Sequence, residues 1–443
     1  MNAIEQLDRT ILLCRDYVDD GLSNREICQS LQSVRVLCIS DLPNLSSISG
    51  QTALVTLVAL LNRMGMQVEL SVPEIDLLLP QPPLSGSLLR KALVGSSERF
   101  ITGATVNVGS AKNPDLIFAL GDTKTISGYE LSWRLSGSEW QGALAMKGSA
   151  ETRAWTADFP VGSMVSAALA ANEAFKFVMR HLPLRDQADH IFFEASSSCS
   201  WDFGSVPIPS VDLDLGEVDI ISAGAISQAV LYALLRFPNI HLRGRIFDDD
   251  VTGPSNLNRN MLTLVTDVEV RKVLVAERRC SSKLRLEPVA NRFKSPGLDV
   301  LRLAPRVLVG VDDIPSRWEI QRSASGWVAV SGTSHFSVSS SAHRPNEPCC
   351  GCLHPVDDSA GPNPIPTISF VSFWAGLAMS VRLLREALGS PYPLEQQHLW
   401  LTPLRMDQPH AAMWLPIALR KDCPVNCTAT QNSLIVRDAV VLR

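Results

Sequence analysis

The sequence predicts an α/β protein built from two similar halves, each a mostly parallel sheet flanked by helices. Short aliphatic runs such as residues 34–40 indicate buried strands, and they alternate with longer helical patterns. Strands that alternate with helices are typical of βαβ units, whose strands are parallel. The 443-residue chain is 46% hydrophobic and 19% charged, which suits a globular protein with large buried sheets.

The first half is predicted to span residues 1–183. Apolar residues at roughly helical spacing indicate a docking helix within residues 1–30. A strand, an apolar helix and a second strand follow, and a later strand ends on Asp122. An alanine-rich helix beginning near residue 160 closes this half, because its small side chains permit close packing on a sheet.

The second half, residues 216–443, repeats this order. A strand at 218–221 opens it, a later strand ends on Asp312, and a helix at 370–388 closes it. Such a repeat indicates an internal duplication of one supersecondary plan. The serine- and proline-containing segment 184–215 between the halves is predicted to be a linker.

Residues 246–272 carry most of the chemically informative side chains. These are Asp248, Asp249, Asp250, Asn256, Arg259 and Lys272. A buried strand upstream runs into the small-residue turn 222–227, which keeps one glycine, Gly224. Strand, turn, helix, strand and acid together are the plan of a Rossmann-like nucleotide-binding unit. The first half has no corresponding acids, asparagine, arginine or lysine after its second strand.

The pattern Asp248-x-Asp250, Ser255-Asn256-Leu257-x-Arg259, then Lys272 and Asp312, resembles the ubiquitin-activating-enzyme-like superfamily. That superfamily includes the ThiF and MoeB adenylyltransferases, and the likeness extends over about residues 215–430. The resemblance implies two Rossmann-like ThiF/MoeB-type halves that form a pseudo-dimer, with the first half inactive and the second active.

The resemblance also implies roles for the individual residues. Asp248 would bind the ribose, and Asp250 and Asp312 would share a Mg²⁺ on the phosphates. The proposed nucleotide-binding set is Gly224, Asp248, Asp250, Asn256, Arg259, Lys272, Asp312 and Arg9, of which Arg259, Lys272 and Asp312 are the catalytic residues. The alternative is that the acids form a solvated turn and the cations lie on a helix surface. Arg317 follows Asp312 in the pattern but could equally be a structural ion-pair partner, so it is left out of the site.

Arg9 lies in the sequence Asp8-Arg9-Thr-Ile-Leu, which is similar to a signature that opens many members of the superfamily. The resemblance implies that this arginine reaches from one half to the triphosphate in the other. The alternative is that the N-terminal helix only docks on the rest of the chain.

Two cysteine pairs, Cys349/Cys352 and Cys423/Cys427, suit a tetrahedral structural zinc site. Cys350 or His354 remains an alternative ligand, and four buried free thiols are the alternative to a metal site. No signal-peptide pattern is visible, so the chain is predicted to be cytoplasmic and its cysteines to be thiols or metal ligands. Three further cysteines could form a thioester, and none is assigned as catalytic: Cys199, Cys280 and Cys350.

The function implied by the resemblance is ATP-dependent adenylation of a carboxylate, with Mg²⁺ and Zn²⁺ as further cofactors. The substrate would be the C-terminus of a ubiquitin-like β-grasp protein, and the next partner a conjugating enzyme or another acceptor. The two-half plan on a short chain resembles activating enzymes of bacterial ubiquitin-like conjugation systems, some of which serve antiviral defence.

Three alternatives remain open. A sulfur-carrier or peptide adenylyltransferase of the same superfamily would use the same residues. An NAD-type oxidoreductase would need the glycine fingerprint that the turn lacks, and a non-catalytic scaffold would not need the charged set. A net charge of -5 gives no support for a nucleic-acid partner, and the apolar runs are shorter than the about 20 residues of a membrane span.

Overall fold

The structure, a computed structural model, contains two sheets flanked by helices. It describes residues 2–109, 113–124, 130–146, 155, 158–204, 212–280, 283–293, 302–357, 365–389 and 397–427. Within these residues the sheets have seven and eight strands, and the parallel strands of both are covered by helices. The predicted fold class, two mostly parallel sheets flanked by helices, is confirmed.

The first sheet has the order β3-β2-β1-β4-β5-β6-β7. Its strands are β1 Arg35–Ile39, β2 Gln67–Ser71, β3 Val106–Val108, β4 Leu116–Leu120, β5 Ser132–Gly137, β6 Gln141–Met146 and β7 Ser198–Asp202. The first five strands are parallel, and β6 and β7 add to the sheet in antiparallel pairs. The strand β7 lies inside the segment 184–215 predicted as a linker, so part of that segment belongs to the first sheet. The domain limits themselves stay a prediction.

The second sheet has the order β10-β9-β8-β11-β12-β13-β14-β15. Its strands are β8 Leu213–Ile221, β9 Ile240–Phe247, β10 Leu284–Val289, β11 Arg306–Val309, β12 Trp327–Ser334, β13 Ser337–His343, β14 Gln397–Leu401 and β15 Ala412–Pro416. In this order its first seven strands, from β10 at the edge to β14, correspond to the seven strands of the first sheet. They have the same connections along the chain and the same parallel and antiparallel pairings. The last strand, β15, has no counterpart among the described residues of the first sheet.

The helices cover the sheets and join the two halves. Those of the first half are α1 Ala3–Gln6, α2 Asp8–Arg15, α3 Asn24–Ser33, α4 Leu42–Leu45, α5 Ile48–Arg63, α6 Leu89–Val94, α7 Val161–Arg180 and α8 Gln187–Phe192. Those of the second half are α9 Ala225–Leu234, α10 Lys272–Arg279, α11 Ile314–Ser323, α12 Cys350–Leu353 and α13 Ser369–Ala387. The predicted N-terminal helix is thus three short helices, with the first break at Leu7.

Four long helices, α5, α7, α9 and α13, form the interface between the halves. They are apolar on nearly every face because they pack on both a sheet and one another. Polar bonds cross the interface as well, since the Thr56 hydroxyl lies 3.2 Å from the Tyr232 hydroxyl and Ser369 donates to the Leu60 carbonyl. The arrangement is a pseudo-dimer within one chain. No helix in the described ranges has the length and apolar character that a membrane span requires.

Candidate functional site

A cavity of about 650 Å³ opens at the carboxyl edge of the second sheet. The strand order reverses there, between β8 and β11, which is where open α/β sheets bind ligands. All eight side chains or backbone segments predicted to bind nucleotide line this one cavity: Arg9, Gly224, Asp248, Asp250, Asn256, Arg259, Lys272 and Asp312. They converge because parallel strands end on the same edge, although the residues are far apart in sequence.

Asp248 follows β9 and fixes the turn that leads from β8 into α9. One carboxylate oxygen accepts from the backbone N–H of Ala223 at 2.7 Å, and the other accepts from the N–H of Asp250 at 2.9 Å. Burial raises the pKa of Asp248, and the nearby charge of Lys272 opposes that rise. The acid therefore sits partly withdrawn from water, with its two oxygens held by backbone.

The turn before α9, residues 222–227, contains one glycine, Gly224, and places a serine where the backbone favours glycine. Ser222 has φ of +94°, in the left-handed region that favours glycine. Its hydroxyl accepts from the N–H of Gly224 at 3.0 Å, and Gly224 is the N-cap residue of α9. The N-terminus of this ten-residue helix faces the cavity, so its free N–H groups favour an anion there.

Lys272 opens α10 and pairs with Asp250. The ammonium lies 2.5 Å from a carboxylate oxygen of Asp250, and the backbone N–H of Lys272 donates to the Asp250 carbonyl at 3.1 Å. The Lys272 side chain is 12% exposed and that of Asp250 is 60% exposed. Asp250 thus faces a lysine in this structure, and its predicted role as a Mg²⁺ ligand stays a prediction.

Asn256 and Arg259 lie on the loop that follows the acids. The side-chain amide oxygen Oδ1 of Asn256 accepts from the backbone N–H of Gly253 at 2.9 Å and caps a short 3₁₀ turn. The Arg259 guanidinium donates to the Ser255 carbonyl and to the Asn258 side chain. Burial lowers the pKa of Arg259 to about 9, and the charge of Arg9 lowers it further. Two cations therefore face each other at this end of the cavity.

Arg9 is the contribution of the first half to the cavity. Its guanidinium donates to the Ile365 carbonyl at 3.4 Å, and its backbone carbonyl accepts from the N–H of Thr367 at 3.3 Å. The nearest described carboxylate is Asp8 at 4.0 Å, and the Arg9 side chain is 23% exposed. Two guanidiniums that converge from opposite halves make a site suited to a polyanion.

The structure brings in residues that the sequence reading missed. Gln228 donates to the Ala223 carbonyl at 3.1 Å and accepts from the N–H of Leu262 at 3.2 Å, so it joins the turn 222–227 to the loop of Arg259. Arg63 of the first half holds the same loop from the other side. Arg317, which was considered and left out of the predicted site, lines the cavity as well, and its Nε donates to the Val311 carbonyl at 2.9 Å. A charged or amide side chain within an apolar helix was the available signal for Gln228 and Arg63.

The corresponding edge of the first sheet is filled by protein. The Asn44 amide donates to Asp41 at 2.7 Å and to Asp122 at 3.0 Å. The backbone N–H of Trp155 donates back to the Asn44 side chain at 3.1 Å. A Cβ on Gly50 would lie 1.7 Å from the Asn44 carbonyl oxygen, so α4 and α5 are in direct contact here. Asp122, the acid that follows β4, is therefore hydrogen-bonded to Asn44 where the second sheet has its cavity.

The four predicted zinc ligands form one cluster. The Sγ atoms of Cys349, Cys352, Cys423 and Cys427 all lie within 4.8 Å of one another. Closest pairs are Cys349–Cys423 at 3.3 Å and Cys352–Cys427 at 3.4 Å. Sulfurs of a zinc tetrahedron, with bonds of about 2.3 Å, are about 3.8 Å apart. The donor set and its spacing therefore fit a zinc ion, and Cys350 is turned away, towards the Arg317 carbonyl at 3.4 Å.

The three cysteines considered for a thioester are all withdrawn from the cavity. None of the cysteines in the described ranges lines it. Burial raises the pKa of Cys280 and of Cys350 to about 12, and it raises the pKa of Cys199 as well. These thiols are therefore protonated at neutral pH, whereas the thiolate is the reactive form.

Comparisons with known proteins give a family match within the first half and a curated relative of part of the chain. Residues 34–187 match the family model described as the BilD N-terminal domain. The uncharacterized protein y4jF of Sinorhizobium fredii is 24% identical over 204 residues, which are 44% of this chain and 38% of that protein. The chain thus spans well under half the length of this curated relative.

The chain is also similar to parts of two solved proteins, MccB of E. coli and PaaA. MccB with MccA-N7isoASN is 17% identical, with a TM-score of 0.41 over 47% of this chain and 66% of that one. MccB alone has a TM-score of 0.40 at 17% identity, over 47% and 64%. PaaA has a TM-score of 0.35 at 15% identity, over 46% and 64%. In each case the chain spans slightly less than two thirds of the other protein.

The family match covers the half that lacks the charged set, and the ordered residues from Asp248 to Asp312 lie in the other half. The resemblance to the ubiquitin-activating-enzyme-like superfamily, which includes the ThiF and MoeB adenylyltransferases, therefore rests on the ordered residues of the second half and on the match of the first half to the BilD N-terminal domain.

Proposed function

We propose that the chain activates the C-terminal carboxylate of a ubiquitin-like β-grasp protein by adenylation with ATP. The observation that carries the proposal is the single cavity in which the predicted acids, amide and cations meet. Its volume of about 650 Å³ lies within the range of about 300–1,000 Å³ typical of small-molecule sites. The match to the BilD N-terminal domain favours a bacterial ubiquitin-like conjugation system, and a role in antiviral defence belongs to the same proposal.

In the proposed reaction a substrate carboxylate oxygen attacks the α-phosphorus of ATP. A bond forms between that oxygen and phosphorus, the bond from the α-phosphorus to the bridging oxygen breaks, and pyrophosphate leaves with the electron pair. Arg259, Lys272 and Arg9 would bind the triphosphate, because preorganised cations stabilise the charge that grows on the departing group. The mixed anhydride that results is a far better acylating agent than the carboxylate.

A divalent cation fits the acidic side of the cavity. The carboxylates of Asp248, Asp249 and Asp250 lie within 4.8 Å of one another, and Mg²⁺ prefers a few carboxylates together with phosphate oxygens. Asp250 and Asp312 would hold it, and it would neutralise phosphate charge. Asp248 would accept hydrogen bonds from the ribose hydroxyls, since its oxygens already face the turn that precedes α9.

The acyl adenylate would then be handed to an acceptor outside this chain. The support is that Cys199 and Cys350 are buried and Cys280 is half-buried, that none of the three lines the cavity, and that burial raises the pKa of each thiol. A conjugating enzyme that supplies its own thiolate, or an amine, would complete the transfer.

Exchange of labelled pyrophosphate into ATP tests the proposal. Exchange should require a β-grasp protein that ends in glycine, whereas exchange with a short peptide instead would favour a peptide adenylyltransferase. Asp312→Ala should lower the rate at least about a hundredfold, comparable to losing one preorganised electrostatic group. Asp122→Ala, the acid in the filled site of the first half, is the matched control and should keep the rate. If Asp312→Ala exchanged pyrophosphate at the wild-type rate, Asp312 would not be a catalytic residue.

A further inference from the structure

The loop from Leu257 to Thr263 turns three backbone carbonyls towards the first half of the chain. All three accept hydrogen bonds from one side chain, that of Arg63, the last residue of α5. Its guanidinium donates to the carbonyls of Leu257 at 2.6 Å, Met261 at 3.0 Å and Thr263 at 2.8 Å. Asn256 directly precedes this loop, and Arg259 lies within it.

The contact is fully withdrawn from water. Arg63 has no exposed side-chain surface, and its guanidinium carbon lies 4.5 Å from the centre of the Phe100 ring. A planar guanidinium has five donors in a fixed fork, so it can serve three carbonyls that a single ammonium could not span. Buried carbonyls left without a donor are costly, which ties the shape of the loop to this side chain.

Two further bonds fasten the same loop to the first half. Asn258 donates to the Thr10 hydroxyl at 2.9 Å, next to Arg9, and the N–H of Val265 donates to the Arg99 carbonyl at 2.8 Å. On the opposite side Gln228 accepts from the N–H of Leu262. The loop is thus held between the turn 222–227 of the second half and the residues of the first half that bond to it.

We infer that Arg63 is a positioning residue of the adenylation site, through which the inactive half holds Asn256 and Arg259 in place. The inference rests on the proposed function. It assigns the first half a second contribution, separate from Arg9, that never touches the nucleotide. Arg259 must sit beside the triphosphate to stabilise the departing pyrophosphate, and displacements of about 1 Å can cost about a hundredfold in rate.

The chain offers a matched control for this residue. Arg236 follows the equivalent helix, α9, of the second half and is also fully buried. It lies over the ring of Tyr232 at 3.7 Å and donates to the Pro82 carbonyl of the first half at 2.6 Å. It makes the same kind of cross-half contact, but on the side of the filled site. Loss of Arg236 should therefore weaken the interface without disturbing the loop.

The experiment compares Arg63→Met with Arg236→Met in the full chain. Two quantities are measured: amide hydrogen exchange of residues 257–263, and pyrophosphate exchange into ATP. We expect both variants to melt at lower temperature than the wild type. Only Arg63→Met should show loop amides exchanging at least about tenfold faster, with turnover at least about tenfold below that of Arg236→Met. If Arg63→Met fails to fold, Arg63→Lys, which keeps the charge but not the fork, is compared in the same way.

Equal amide exchange in the two variants would overturn the inference, whatever the activities. A drop in turnover without faster loop exchange would overturn it too, because the loss would then not pass through the loop. If the wild type itself shows no pyrophosphate exchange, the proposed function fails, and the amide measurement still decides whether Arg63 holds the loop.

Discussion

At the scale of single residues, Ser222 combines an unfavourable backbone with a useful hydrogen bond. A non-glycine residue at positive φ costs about 1–3 kcal/mol, and the bond from the N–H of Gly224 to its hydroxyl returns about 0.5–1.5 kcal/mol. Glycine would remove the strain, but it would add about 0.4–1 kcal/mol of chain entropy to be lost on folding. These contributions nearly cancel in the stability difference between Ser222→Gly and the wild type. A comparison of two variants at this position is therefore more informative.

We predict that Ser222→Gly is more stable than Ser222→Ala by about 1 kcal/mol. Both variants lose the hydroxyl, and only alanine keeps the strain of φ +94°. Ser46 is the control, because it is exposed, its hydroxyl also bonds to backbone, and its φ is −80°. There alanine should be the more stable variant. Urea unfolding measures the free energy of unfolding of the four variants. If the alanine variant were the more stable one at both positions, the strain argument would be contradicted.

Sequence reasoning found the side chains whose chemistry names a role and missed those whose role is to hold backbone. Asp248, Arg259 and Lys272 were predicted because acids and cations in that order suit a nucleotide. Arg63 and Gln228 bond to carbonyls and N–H groups, and their partners are nearly 200 and about 35 residues away. No local pattern specifies such a partner, since it depends on how the halves pack.

At the scale of elements, α11 connects the cysteine cluster to the cavity. Its N-cap residue Asp313 accepts from the N–H of Ser316 at 2.6 Å, beside the cavity. On the other side Trp318 donates to the His354 carbonyl at 2.9 Å, and Arg322 donates to the Pro424 carbonyl at 2.6 Å. The cysteine segments thus pack on the helix that follows Asp312, so a metal in the cluster would steady one wall of the cavity.

We predict about one zinc ion per chain, from the four-ligand rule for structural sites. Cys349→Ser and Cys423→Ser should each lower both the zinc content and the melting temperature, because metal binding is coupled to folding. Elemental analysis and thermal unfolding measure the two effects. Cys350→Ser is the matched control, since Cys350 is buried nearby but bonds to the Arg317 carbonyl. Full stability without metal would leave the four cysteines as ordinary core residues.

Elements with a strong apolar pattern were predicted well and those set by tertiary contact were not. The helices α7 and α13 lie within one or two residues of the predicted positions, near 160 and at 370–388, because their long apolar runs favour a buried helix. The N-terminal helix breaks at Leu7, whose side chain is fully buried. The strand β7 pairs with β6 although its sequence is short and rich in serine, so its place depends on the sheet edge that receives it.

At the scale of the whole molecule, the two halves share one strand order but differ at the carboxyl edge of the sheet. Seven strands of each sheet follow the same order, yet Asn44 and Trp155 fill the first half where the second half has its cavity. The filled half still supplies Arg9 to the cavity and Arg63 to the loop behind it. The duplication could be predicted from the sequence. The filling of the first site by Asn44 and Trp155 could not, because these residues are far apart in sequence and meet only in the folded protein.

The last prediction concerns this division of labour. One ATP should bind per chain, in the second half, and titration calorimetry measures that stoichiometry. Arg9→Ala should lower the adenylation rate about ten- to a thousandfold, because a preorganised charge beside the departing pyrophosphate acts mainly in the transition state. Folding stability should change little, since within the described residues the Arg9 guanidinium donates a single hydrogen bond, of 3.4 Å, to the Ile365 carbonyl. Arg15→Ala is the control, because Arg15 ends the same helix and bonds to Asn24 at the surface. Two ATP molecules per chain, or equal rates for the two variants, would contradict a site completed across the halves.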